Sequence, residues 1–176
     1  MITPNDDKTR SRITPLDDAY RPCERTWAEL RIYPGEMHLS RVTELLGVSP
    51  TSQVAPGEAG PGSGSGFGRA GNTNGWFLSS EGQVESKDVR RHIDWLLAKL
   101  DPNSAALCEL QSRRGVRMTV FCLWCGDGSP VLWPEQMQGL AALNLECSFE
   151  FTYYPEEELD EIVDGETIGN LGEFIP

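Results

Sequence analysis

Cys122 and Cys125 stand in C-x-x-C spacing, the arrangement of half a zinc site or of a redox dithiol. A structural zinc site needs a second pair of ligands, and no second C-x-x-C occurs. A thioredoxin-type dithiol sits at a helix N-terminus, where the dipole lowers its thiol pKa. This pair instead ends an apolar, strand-like run, where residues three apart point to opposite faces. The two thiols therefore read as small core residues. The imidazoles are His38, at the start of a helical segment, and His92, among Arg90, Arg91 and Asp94 on what reads as a solvated face. A Cys–His nucleophile pair would meet only in the fold. Neither H-E-x-x-H nor G-x-S-x-G occurs.

Gly66-Phe67-Gly68-Arg69-Ala70-Gly71 fits G-x-G-x-x-G. A dinucleotide site needs a strand before that motif and a helix after it. Here a Gly/Ser run precedes it and a short strand follows, so the match reads as chance in a glycine-rich loop. The lysines, Lys8, Lys87 and Lys99, all lie outside glycine-rich turns, which removes the phosphate-loop signature. No cofactor, metal or catalytic residue is assigned from these patterns.

Two further groups remain. Trp124, Asp127 and Trp133 surround a Gly126-Asp127-Gly128 loop, and they either pack beneath it or line a pocket beside the sheet. Glu156, Glu157, Glu158, Asp160, Glu161 and Asp164 begin a stretch, residues 155–176, with eight acidic residues and no basic one. Leu159, Ile162, Val163, Ile168, Leu171 and Phe174 interleave those charges. Such a segment reads as a solvated tail or as an arm that meets a basic partner.

The elements that must position these residues follow from periodicity. Residues 27–33 alternate as a first strand. Leu39, Val42, Leu45 and Leu46 give an amphipathic helix stopped by Gly47. Residues 55–75 read as a flexible Gly/Ser-rich loop, followed by a short strand at 76–80. Ser86 reads as a cap and Asp88 as a favourable helix start. Val89, Ile93, Leu96, Leu97 and Leu100 then repeat at helical spacing. Asp101-Pro102 restarts a second helical piece to about Ser112. Residues 116–124 are the strongest strand, rich in β-branched and aromatic residues. Pro134 opens a helix carrying Met137, Leu140, Ala141 and Leu143, and residues 145–154 alternate as the last strand.

This order predicts an α+β fold. Its most economical form is a ferredoxin-like-style sandwich, in which two βαβ halves build a mainly antiparallel four-stranded sheet with helices on one face. The expected organisation is a loose N-terminal arm over residues 1–25, one α+β domain over 26–154, and an acidic C-terminal tail over 155–176.

The 176 residues, 39% hydrophobic, suffice for one domain with a packed core. A net charge of −12 argues against a nucleic-acid partner. No apolar run approaches a membrane span, and the polar start lacks a secretory signal. Five cysteines, an odd count, suit a reducing cytoplasm better than a disulfide framework.

Residues from about Trp27 to Tyr154 carry a resemblance. The strand Leu30-Arg31-Ile32-Tyr33, the segment HLSRVTELLGVSPT, Gly75-Trp76-Phe77-Leu78-Ser79-Ser80, the helix VRRHIDWLLAKLDPNSAAL, and VFCLWCG with LWPEQMQGLAALNLE are similar to the bacterial domain of unknown function 4279 family. The resemblance implies a small bacterial cytosolic α+β protein and supplies no activity. By analogy with small acidic immunity proteins, the expected function is non-catalytic protein binding, as an immunity-type antagonist of a basic toxin. The alternative is a small-molecule-binding or enzymatic domain with its site near the 125–133 loop. A third reading is a scaffold domain that self-associates through an edge strand. The oligomeric state is left open.

Overall fold

The computed structural model describes residues 11–55, 74–100 and 103–152. Strand β1 (Cys23–Tyr33) lies at the centre of the sheet. Helix α1 (Leu39–Leu46) follows and ends at Gly47, whose φ of 63° is the left-handed conformation that closes a helix. Its N–H donates to Thr43 O at 2.8 Å. Two strands come next, β2 (Ser52–Val54) and β3 (Gly75–Ser79). Helices α2 (Val89–Leu100) and α3 (Ser104–Ser112) precede β4 (Arg117–Gly126). Helix α4 (Pro134–Ala142) and β5 (Cys147–Thr152) complete the described elements.

The sheet order is β2-β3-β1-β4-β5. Three pairings are antiparallel, and β4 with β5 is parallel. The α+β class holds, but the expected four-stranded sheet is a five-stranded mixed one. The unforeseen strand is β2, between the first helix and the Gly/Ser-rich stretch. It sends the chain back antiparallel to itself, so the first half is β-α-β-β rather than βαβ. The second half is a βαβ unit, with α4 carrying the chain back so that β5 runs parallel beside β4.

Alternation along the strands sends one set of side chains to the helices. Ala28, Leu30 and Ile32 of β1, Trp76 and Leu78 of β3, and Val120 and Cys122 of β4 form one core with residues of all four helices. Each fully buried Leu or Ile in this core contributes roughly 1.5–3 kcal/mol. Trp76 is fully buried, and its indole N–H donates to Thr43 Oγ1 at 3.0 Å.

Helix α4 presents a different face from the one its apolar residues suggest. Met137 is half-exposed, while Gln136 is buried. The Gln136 amide is fully used: its Oε1 accepts from Trp133 N at 3.0 Å, and its Nε2 donates to Asp94 at 2.7 Å. A polar side chain with both ends satisfied is buried at little cost.

The described part of the N-terminal segment, from residue 11, makes several contacts with the helices. Asp88 and Arg90 form an ion pair of 2.5 Å with both side chains 4% exposed. Arg90 also donates to Thr14 O at 2.9 Å and Pro15 O at 2.7 Å, and Asp88 accepts from Asp17 N at 3.1 Å. Arg12 binds Glu135 through two bonds, 2.6 and 2.8 Å. Residues 12–17 are thus fastened to α2 and α4, and β1 starts at Cys23, three residues before the expected domain start at residue 26. The helix cap likewise differs from expectation: Asp88, not Ser86, accepts from Arg90 N at 3.1 Å as the N-cap of α2.

Candidate binding cleft

A β-bulge separates the pairings of Cys23 with Gly126 and of Arg25 with Cys125, so Glu24 is the extra residue. Bulges re-aim side chains. Gly126 permits this one: its φ is 132°, and a β-carbon there would lie 2.3 Å from Pro22 O. Past the bulge, Glu24, Arg25, Thr26 and Trp27 all border one open cleft of about 320 Å³. The other wall is the β3–α2 connection, with Glu81, Gly82, Val84, Glu85, Ser86 and Lys87. Asp18 borders it from the fastened arm, and His92 lies at its base.

The cleft carries four carboxylates, Asp18, Glu24, Glu81 and Glu85, against two cations, Arg25 and Lys87. Arg25 pairs with Glu81 and lies over the Trp27 ring, 4.6 Å from its centre. The Asp18 carboxyl is held below its ordinary range by the Ser86 hydroxyl at 2.9 Å and by Arg91 at 3.1 Å. The rim is therefore negative at neutral pH.

His92 is buried, 1% exposed, and not on a solvated face as the sequence suggested. Its ring bolts α2 to the sheet. Nε2–H donates to Ser86 O at 2.8 Å, which leaves Nδ1 to accept from the Ser80 hydroxyl, also at 2.8 Å. Ser80 Oγ accepts from Ala28 N at 2.9 Å and shares its proton with Ala28 O at 2.9 Å. Burial lowers the pKa of His92, against the raising effects of Ser86 O and Asp88, and keeps the ring neutral. Ser80 is fully buried, and this Ser–His pair ties the elements together. Among the described residues neither histidine has a cysteine partner; His38 Nδ1 meets Ser40 Oγ at 2.9 Å.

The residues expected near the 125–133 loop have different surroundings. Trp124 is 2% exposed and lines a space of about 20 Å³, room for roughly one water. Its ring packs on Tyr20, with centroids 5.9 Å apart. Trp133 is the N-cap of α4 and lies between the guanidiniums of Arg12 and Arg90, at 4.1 and 4.5 Å. Asp127 is exposed in the loop. The indole N–H groups of Trp124 and Trp133 are buried without a partner among the described residues. Glu156, Glu157, Glu158, Asp160, Glu161 and Asp164 lie outside the described residues, as does the G-x-G-x-x-G match.

The C-x-x-C pair is split across the sheet. Cys122 faces the core, where its Sγ lies 3.7 Å from that of Cys147, and Cys125 faces the other side, 3.6 Å from Glu24 Oε2. Among the described residues, no group of three or more His, Cys, Asp or Glu is placed to hold a metal ion. No described helix is long and apolar enough to cross a membrane.

The mixed sheet with its helical layer spans the stretch that defines the chain's relationship to other proteins. Residues 22–154 match the family described as Domain of unknown function (DUF4279), and the chain belongs to that family. No curated protein and no solved structure matches it.

Proposed function

We propose that this chain is a non-catalytic protein-binding domain that receives a cationic segment of a basic partner, in the manner of an immunity protein bound to its toxin. The observation that carries this reading is the cleft of about 320 Å³ with Asp18, Glu24, Glu81 and Glu85 at its border. The whole chain, at −12, adds a field that steers positive partners toward it and makes their association salt-sensitive. Residues 155–176, with eight acidic side chains, extend that field. The five free thiols fit a cytoplasmic location.

The test is affinity capture from the source lysate at low and high salt, with the wild type and with a Glu24→Lys/Glu85→Lys variant. A basic protein held by the wild type at low salt, and released by salt or by charge reversal, supports the reading. Equal retention by both proteins contradicts it.

The same volume supports a second reading. It lies at the lower end of small-molecule sites, about 300–1,000 Å³, and its mixed charges suit a polar ligand. A ligand screen that finds a compound displaced by the Glu24→Lys/Glu85→Lys change would favour this reading over the first.

A further inference from the structure

The five cysteines differ in their surroundings. Cys23 is fully buried, and burial pushes its thiol up to about 11. Cys125 is buried, and both burial and the Glu24 carboxylate push its thiol up. Cys108 is exposed on α3. Cys122 and Cys147 bring their sulfurs to 3.7 Å from each other.

These two stand on adjacent parallel strands. Val120 pairs with Cys147 and Cys122 with Phe149, so the two cysteines are diagonal neighbours on the core face. Cys122 is fully buried, whereas Cys147 is half-buried at the first residue of the edge strand β5. The Cys122 thiol, opposed by its neighbour and by burial, keeps its proton and donates it toward Cys147. That donor holds the Cys147 thiol below its ordinary range. A half-buried thiol at a strand start, backed by a fully buried one, is an arrangement that suits an attacking and a resolving cysteine.

We propose that Cys147 and Cys122 form an oxidisable pair, in which a hydroperoxide oxidises Cys147 and Cys122 closes a disulfide between β5 and β4. In the first step the Cys147 thiolate attacks the peroxide. An S–O bond forms, the O–O bond breaks, and the leaving alkoxide or hydroxide takes a proton. In the second step Cys122 gives up its proton and attacks the sulfenic sulfur. An S–S bond forms, the S–O bond breaks, and water leaves. Two thiols are oxidised by two electrons, and one peroxide is reduced to water and an alcohol, or to two waters. The sulfur separation must close from 3.7 Å to about 2.05 Å. Rotation of both side chains and a shift at the start of β5, which pairs with β4 alone among the described residues, supply that movement.

The test uses the full chain carrying Cys108→Ser, which removes the exposed thiol. After treatment with hydrogen peroxide, intact mass and peptide mapping are read. The expected product has lost about 2 Da, joins the Cys122 and Cys147 peptides, and reverts with dithiothreitol. Adding Cys147→Ser abolishes the link. Adding Cys122→Ser instead leaves Cys147 as a sulfenic acid that dimedone traps. Circular dichroism before treatment checks that each variant is folded, and the linked peptide in the Cys108→Ser chain decides the matter without them. Cys147 passing to sulfinic acid with no linked peptide, or Cys23 or Cys125 oxidising before Cys147, would overturn the proposal.

Discussion

His92 loses its solvation on folding, and this fixes a pH dependence. Its folded pKa lies below the ordinary 6.5, so the unfolded chain binds the proton more tightly. Stability is therefore full above pH 6.5 and falls as pH drops from there toward the folded value. Urea unfolding from pH 7.5 to 5 should show a declining midpoint, and His92→Gln should flatten that decline. Asp18 and Asp88 act in a separate window. For Asp88, burial alone would raise the carboxyl, but Arg90 and the Asp17 and Arg90 amides hold it below 3.8. The stability from both carboxyls is lost only as pH falls from about 3.8. Asp88→Ala strands Arg90 as a buried charge and should cost about 3–5 kcal/mol in the same assay. The burial of His92 was readable in retrospect. Val89 and Leu96 lie three before and four after it, so it borders the apolar stripe of α2. Its charged sequence neighbours drew the wrong conclusion. Ser80 and Ser86 gave no signal, because their partnership with His92 exists only across the β3–α2 connection.

At the scale of elements, both helix ends and strands followed from pattern where the pattern was long. Helix α1 with its Gly47 stop, helix α2 and strand β4 lie where periodicity put them. Strand β2 has three residues, too few for alternation to register. Its omission misled the reading of β3, which the extra reversal sets antiparallel to β1. The bulge at Glu24 was also invisible, since only pairing with Gly126 defines it. Gly126→Ala puts a β-carbon against Pro22 O and strains a positive φ. It should destabilise the fold by about 2–3 kcal/mol on thermal or urea unfolding. The arm's attachment predicts its own readout. Arg90→Met removes the donors to Thr14 O and Pro15 O. Hydrogen exchange at the amides of Asp17 and Tyr20 should then accelerate. Unchanged exchange there would mean that Arg12 and Glu135 suffice to hold the arm.

Across the whole molecule, net charge and cleft shape lie in different parts of the chain. The middle of the chain, residues 23–154, has 15 acidic and 11 basic residues, so two-thirds of the net charge lies in residues 155–176. The sequence therefore pointed to the tail as the binding element, because linear charge density is what a sequence displays. The cleft gathers its carboxylates from the arm, from β1 and from the β3–α2 connection, which only folding brings together. The direct measurement is an amide-shift titration of the isotope-labelled full chain with an oligo-arginine peptide at low and high salt. Added salt shortens the reach of charges to about 3 Å at 1 M. The expected result is shifts concentrated at Glu24–Trp27 and Glu81–Lys87, suppressed at high salt and at least about tenfold weaker in Glu24→Lys/Glu85→Lys. Shifts confined to residues 155–176 with the cleft amides unmoved, or shifts indifferent to salt, would contradict the cleft as the binding site.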